Sequence, residues 1–268
     1  MQVATISMTS TGDAKRNMRI AADWVKHAAD QGAELVVLPE MFSYLGGYER
    51  LWEHGIQQGD SSYTYLSKLA CENKILLVAG SVPERSNDDL KKVYNTCFVF
   101  DPSGDQLAKY RKINLFHFDG GCSKSRYCEQ DGFLAGFEPV RFCYRAWEIG
   151  LVICFDLRFP FLFQNLVKKS PLDLLVIPSA FTQFTGEVHW ELLLRARAVE
   201  YQCYVAASNQ VGTHYGNRSS FGHSMIVHPW GHVLRNTGEQ EGLVMDKILK
   251  EEVLRCRTKI PIGSKGKI

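Results

Sequence analysis

Long apolar runs are missing from this 268-residue chain: none approaches the ~18 residues a membrane-spanning helix needs. An excess of charge of one sign is missing too. Lys plus Arg number 31 against 29 Asp plus Glu, a net charge of +2, so there is no electrostatic case for nucleic acid, an anionic membrane or a polyanion as partner. No Cys-x-x-Cys pair occurs among the eight cysteines, and Cys122 and Cys128 have no matching pair of histidines, which argues against a structural zinc site. The glycine-rich phosphate loops G-x-x-x-x-G-K-[ST] and G-x-G-x-x-G are absent, so a nucleotide-binding module is not expected. Met1-Gln2-Val3-Ala4 is not a basic stretch leading into an apolar one, so a cytoplasmic location with reduced thiols is expected. What is present is the composition of a folded domain, 45% hydrophobic and 22% charged residues. No linker or low-complexity stretch divides it, and residues 1–268 read as one domain. Each cysteine is then either a small core residue or a nucleophile, and no cofactor or metal is called for.

Short strand-like runs alternate with helical patterns. Val3–Met8, Leu35–Leu38, Ile75–Ala79, Asn95–Phe100, Gln106–Tyr110, Ile149–Cys154, Leu174–Ile177 and Tyr204–Ser208 read as strands. Asp13–Asp30, Ser62–Asn73, Phe159–Val167 and Glu187–Gln202 read as helices. Ser224–Val227 and Val233–Asn236 read as a hairpin around Pro229-Trp230-Gly231. The halves repeat each other. Leu35-Val36-Val37-Leu38-Pro39 resembles Leu174-Leu175-Val176-Ile177-Pro178, and the run Phe98–Gly104 resembles Met225–Gly231, at offsets of 139 and 127 residues. Two such halves around one core predict a layered α/β sandwich with mixed sheets and outer helices.

Three reactive side chains fall at the ends of buried-strand patterns, where α/β sheets build their sites: Glu40, Lys112 and Cys154. A cysteine between a strand and a helix can have its thiolate stabilised by the helix N-terminus and a nearby cation. A glutamate can take the thiol proton and a lysine can hold an oxyanion, which together make an acyl-transfer site. Each residue also has an ordinary reading, as a solvated cap, a surface charge and a core thiol, and spacing alone does not bring the three together.

Leu38-Pro39-Glu40, Tyr110-Arg111-Lys112 with Leu115-Phe116, and the run Cys154–Pro160 resemble, in order, the Glu, Lys and Cys blocks of the nitrilase superfamily of carbon–nitrogen hydrolases. The similarity runs from about residue 3 to about residue 250. It implies a four-layer α-β-β-α sandwich and the hydrolysis of a small-molecule amide to an acid and ammonia through a thioester. Glu40 is then general base and acid, Lys112 and the backbone N–H of Phe155 hold the oxyanion, and Cys154 is the nucleophile. Glu129 falls where members carry a second acidic residue, with Asp131 as the competing carboxylate. The run Gly120–Arg126 departs from the usual loop. Pro178–Thr182, His189-Trp190-Glu191, Leu193–Ala198 and Gly222–Met225 look like the Nit branch, closest to Nit1-type amidases, whose members hydrolyse deaminated glutathione. An ω-amidase, an N-carbamoyl hydrolase or a weakly catalytic scaffold that keeps the fold are the alternatives. Arg158, Phe181, Thr182 and His189 are the candidate substrate-binding residues. Arg195 and Arg197 are either ion-pair partners or substrate ligands, while Trp190, Leu193, Leu194 and Cys203 read as packing and His223 as a structural histidine. Asn114, Phe155 and Phe161 stand where relatives tend to carry His, Tyr and Glu. The ending, Ile260 to Ile268, lacks their aromatic and paired arginines. The family also implies a homodimer or larger homo-oligomer.

Overall fold

A computed structural model describes residues 1–262 apart from 88, 90 and 120–125. Cys122, most of the departing Gly120–Arg126 run and the last six residues lie outside the described residues. The first sheet runs, in spatial order, Gly242–Lys247, Gln2–Ser7, Leu35–Val37, Leu76–Val78, Val93–Phe100 and Val82–Arg85, with Gln106–Arg111 and Phe133–Leu134 also pairing to Val93–Phe100. The second runs Val140–Tyr144, Trp147–Leu151, Leu174–Ser179, Tyr204–Asn209, Met225–Val227 and Val233–Asn236. Five helices accompany them among the described residues: α1 (Ala14–Asp30), α2 (Ser61–Asn73), α3 (Pro160–Val167), α4 (Gln183–Tyr201) and α5 (Lys250–Lys259).

Side-chain alternation sorts these elements into layers. Val3, Leu35, Val37, Leu76 and Val78 point into the cluster that holds the second sheet. Their neighbours Ala4, Ile6, Val36, Leu38 and Leu77 point the other way, onto Ala21, Val25 and Ala28 of α1 and Leu66, Leu69 and Ala70 of α2. On the far side, Leu162, Phe163 and Leu166 of α3 and Trp190, Leu194 and Ala198 of α4 cover the second sheet. The result is the four-layer α-β-β-α sandwich. Ser208 stitches the two sheets: its Oγ accepts from the Ile6 N–H at 3.0 Å and donates to the Val37 carbonyl at 2.6 Å.

The duplication is visible strand by strand. In each half three parallel strands are followed by an antiparallel fourth: Gln2–Ser7, Leu35–Val37, Leu76–Val78 and Val93–Phe100 in one, Trp147–Leu151, Leu174–Ser179, Tyr204–Asn209 and Met225–Val227 in the other. The following hairpins carry the same irregularity. One register shift falls between Val99 and Phe100, the other between Ile226 and Val227, which is the same offset of 127 residues. Gly104 and Gly231, also 127 apart, turn both hairpins with φ of +85° and +87°. That backbone favours glycine.

Two boundaries differ from the sequence reading by three residues or more. α4 starts at Gln183 rather than Glu187 because the Thr182 hydroxyl accepts from the Thr185 N–H and caps the helix earlier. The strand before Cys154 ends at Leu151, and Cys154 itself opens a short 3-10 turn. The edge strand Val82–Arg85, the strand Gly242–Lys247 and α5 were not apparent from pattern. Val82–Arg85 is interrupted by Pro83, and α5 is strongly polar, with only Val253 and Cys256 buried.

At the first sheet's edge, Glu84 is buried beneath cations. Arg111 donates to it twice, at 2.8 and 3.0 Å, Thr96 donates at 2.7 Å, and Lys109 pairs with it. Burial alone would raise its pKa, but these donors outweigh burial and hold it below the ordinary value. A depressed folded-state pKa gives stability that is present above the unfolded value, about 4.3, and is lost as pH falls through the folded one. The unfolding free energy is therefore expected to drop with acidification below about pH 4.3 less steeply in Glu84→Gln than in the wild type. Urea denaturation across pH 3 to 6 measures it; equal slopes would remove Glu84 as the cause.

Candidate active site

The loop after Leu35–Val37 carries Glu40, and its path is fixed by a close backbone approach. Gly80 has φ +45°, and a Cβ there would stand 2.1 Å from the Pro39 carbonyl oxygen. Met41 follows in a left-handed conformation, φ 54°, with its N–H donated to Ser81 Oγ at 3.0 Å. The strand Gln106–Arg111 delivers Lys112 directly, and the Lys112 N–H donates to the Asn95 carbonyl at 2.8 Å. Gly136 packs so closely that a Cβ would meet the Arg111 carbonyl oxygen at 2.3 Å, and its N–H donates to the Lys112 carbonyl at 2.7 Å.

Cys154 sits on an elbow at φ 47°, a backbone that side-chain-bearing residues rarely adopt and that costs about 1 kcal/mol or more. Asp156 holds this elbow from below. Its carboxylate accepts from Tyr110 Oη at 2.6 Å, the Ile153 N–H at 3.0 Å, the Asn114 N–H at 2.9 Å and Asn114 Nδ2 at 2.8 Å. Asn114 thus supplies two of the four donors. Burial pushes the Asp156 carboxyl up, against those donors.

These elements bring Glu40, Lys112, Glu129 and Cys154 to the floor of one cleft of about 880 Å³, part of it continuous with solvent. Lys112 is 1% exposed, and Nζ donates to Glu40 Oε1 at 2.8 Å and to Glu129 Oε1 at 2.9 Å. Asn95 Nδ2 also donates to Glu40 Oε1 at 2.8 Å, and the Ala180 N–H to Glu40 Oε2 at 2.8 Å. Glu129 Oε2 accepts from the Phe116 N–H at 2.7 Å. Between the two competing carboxylates the geometry selects Glu129, because Asp131 is exposed outside the cleft.

Charge balance sets the protonation states. Burial would push the Lys112 ammonium pKa down, but Glu129 and Glu40 outweigh it and hold it well above the ordinary value. Burial, and then the Glu40 charge against the pull of Lys112, raises Glu129. Cys154 goes up strongly, through burial and the Glu40 charge, with Lys112 and the Ala180 N–H opposing. The resting sulfur is therefore a thiol that needs a base, and Cys154 is not at the N-terminus of α3, which could stabilise a thiolate. The turn Cys154–Arg158 intervenes before α3 begins at Pro160.

The expected substrate contacts divide. Phe155, Arg158, Phe181 and Thr182 line the cleft. His189 does not: its Nδ1 lies 3.3 Å from Arg158 Nη1, behind the guanidinium. Arg158 lies over the Phe181 ring at 5.0 Å, has no carboxylate partner among the described residues, and has its pKa lowered by burial. Phe155 packs edge-on against Phe116 and Phe159. Phe161 is exposed on α3 against Phe159 and does not line the cleft. Arg195 and Arg197 are structural, the first on Glu191 and the Gly231 carbonyl, the second on Glu200 and the Leu157 carbonyl. Trp190, Leu194 and Cys203 are core, and His223 stacks on Phe221. Pattern reading missed Asn95, Asp156 and the Tyr44, Tyr48, Tyr215 and Arg218 wall of the cleft. Among the described residues, no three or more of His, Cys, Asp and Glu are grouped to hold a metal ion, and no helix is long and apolar enough to cross a membrane.

Asp156→Ala would orphan four donors around the elbow. It is expected to lower the unfolding free energy by roughly 3 kcal/mol, against roughly 1 for Tyr110→Phe. Urea denaturation of both variants checks the ratio; similar small losses would mean that Asp156 does not carry the turn.

The chain matches the carbon-nitrogen hydrolase family over residues 2–257. It is 36% identical to the deaminated glutathione amidase of Synechocystis sp., covering 96% of this chain and 95% of that one. It is 37% identical to the omega-amidase NIT2 of Homo sapiens, covering 97% and 93%. Its structure superposes on that of the C. elegans NitFhit protein with a TM-score of 0.91 at 33% identity, covering 99% of this chain. The chain spans 65% of the length of that protein. A buried Glu–Lys–Glu cluster beside a cysteine elbow, on a duplicated four-layer sandwich, thus belongs to a carbon–nitrogen hydrolase of the nitrilase superfamily.

Proposed function

We propose that this chain is a single-domain, cysteine-dependent amidase of the Nit1 type whose substrate is deaminated glutathione. The observation that carries the reaction is the Lys112 ammonium, 2.8 Å from Glu40 and 2.9 Å from Glu129, at the base of the cleft that Cys154 lines. Glu40 takes the Cys154 proton and the sulfur attacks the amide carbon. Lys112 and the Phe155 backbone N–H receive the oxyanion, worth on the order of 3 kcal/mol per donor. Glu40 returns the proton to the leaving nitrogen. Water, deprotonated by Glu40 with help from Glu129, then resolves the thioester. The substrate assignment is supported by Arg158, a half-buried cation at the cleft wall suited to an acyl-chain carboxylate. In deaminated glutathione the scissile nitrogen carries a peptide, so the leaving group is an amine. Ammonia would be the product of the ω-amidase reading, which the likeness to NIT2 keeps in view.

The enzyme is proposed to be cytoplasmic and to act as a homodimer. The support for assembly is an apolar stripe on α4: Phe184, Val188, Leu192 and Val199 are 73%, 67%, 65% and 47% exposed, while Trp190, Leu194 and Ala198 bury the opposite face. A helix apolar on both faces needs a second surface to cover it.

Wild-type protein is expected to release a keto acid from deaminated glutathione faster than ammonia from α-ketoglutaramate, and Cys154→Ala is expected to fold and to turn over neither. Preference for α-ketoglutaramate would move the substrate to the ω-amidase branch; full activity in Cys154→Ala would sink the mechanism. In light scattering after gel filtration, the wild type is expected at twice the chain mass or more and Leu192→Glu at half the wild-type value. An unchanged mass in that variant would place the interface elsewhere.

A further inference from the structure

The two oxygens of Glu40 are not equivalent. Oε1 accepts two N–H donors, Lys112 Nζ and Asn95 Nδ2, both at 2.8 Å. Oε2 accepts one, the Ala180 N–H, also at 2.8 Å. A carboxylate oxygen offers two in-plane lone pairs, so Oε1 is saturated and Oε2 keeps one open. The Ala180 N–H that binds Oε2 also acts on the Cys154 sulfur, so one backbone donor serves both groups.

We infer that Asn95 is a positioning residue for the reaction: by filling the second lone pair of Glu40 Oε1 it confines proton exchange with Cys154 to Oε2. The inference rests on the reading of Glu40 as the base. In the step itself the Sγ–H bond breaks, an Oε2–H bond forms, and the electron pair stays on sulfur for attack on the carbonyl carbon. The same Oε2 proton is the one later given to the leaving nitrogen. Asn95 is built for this task. It is fully buried on the strand Val93–Phe100. Its own carbonyl accepts the Lys112 N–H at 2.8 Å, so one residue sets the backbone of the cation and the side-chain rotation of the base. Its Oδ1 is buried without a partner, a cost that the native structure tolerates while Nδ2 faces the carboxylate.

A hydrogen bond to the charged form of an acid favours that form, so removing Nδ2 disfavours the carboxylate. The titratable groups facing Glu40 are Lys112, Glu129 and Cys154, and all three stay in place in the variants below. The probe is iodoacetamide, which needs no knowledge of the substrate: the rate of Cys154 alkylation is followed from pH 4 to 9. Asn95→Leu is expected to move the acid limb of this profile up by about one pH unit and to lower the plateau about tenfold. Asn95→Asp keeps the size of the side chain and brings a second carboxylate to Oε1, so its limb is expected to move further. It decides the matter if the leucine variant does not fold. A limb unmoved in a folded variant overturns the inference, whatever happens to the plateau. Glu40→Gln separates this failure from failure of the underlying reading. If its profile keeps the wild-type acid limb, Glu40 is not the base. If its limb disappears while the Asn95 variants stay unshifted, only the role of Asn95 is lost.

Discussion

An ammonium taken out of water between two carboxylates governs this molecule. Desolvating a lone lysine or a lone glutamate costs several kcal/mol, and the mutual attraction offsets that only when the geometry is good and each carboxylate oxygen accepts a hydrogen bond. Here the conditions hold atom by atom. Lys112 is matched by Glu40 and Glu129, Glu40 is completed by Asn95 and Ala180, and Glu129 by the Phe116 N–H. Burial first, and then the Glu40 charge, push the neighbouring Cys154 thiol up.

The sandwich exists to hold these side chains in register. Glu40 and Lys112 come from the first sheet, Cys154 and Ala180 from the second, so the site forms only when the two sheets pack. Ser208 bridges the sheets by hydrogen bonds as well as by apolar contact. Gly80 and Gly136 show how tightly the two first-sheet loops are laid down, since neither has room for a Cβ. Strain at Cys154 and Met41 is carried by Asp156 and Ser81, side chains that do not line the cleft.

Much of this was legible in the sequence, for reasons that differ by residue. Leu35–Leu38 and Leu174–Ile177 announce themselves because strands buried on both faces are uniformly apolar. The offset of 127 residues between hairpins holds down to the bulges because those hairpins are short and closed by glycine turns. Cys154 stood out as a thiol in a strand-to-helix corner. What stayed hidden depends on distance in sequence. Asn95 reads as an ordinary strand residue until the fold carries Glu40, 55 positions away, onto its amide. Asp156 looks like a cap and becomes the anchor of Tyr110 and Asn114. Val82–Arg85 was obscured by Pro83, and Gly242–Lys247 by its partly exposed, mixed residues.

That last strand bears on how the protein is made. Gly242–Lys247 pairs antiparallel with Gln2–Ser7 along its whole length, and the amino terminus donates to the Ile248 carbonyl at 3.0 Å. Gln2–Ser7 must therefore wait for a partner some 240 residues further along the chain, with one edge bare in the meantime. Pairings of such sequence separation are slow to close and leave the nascent sheet open to association with other chains. A chain truncated before residue 242 would keep Glu40, Lys112 and Cys154 yet expose a long apolar edge, making it a candidate for chaperone capture rather than for catalysis.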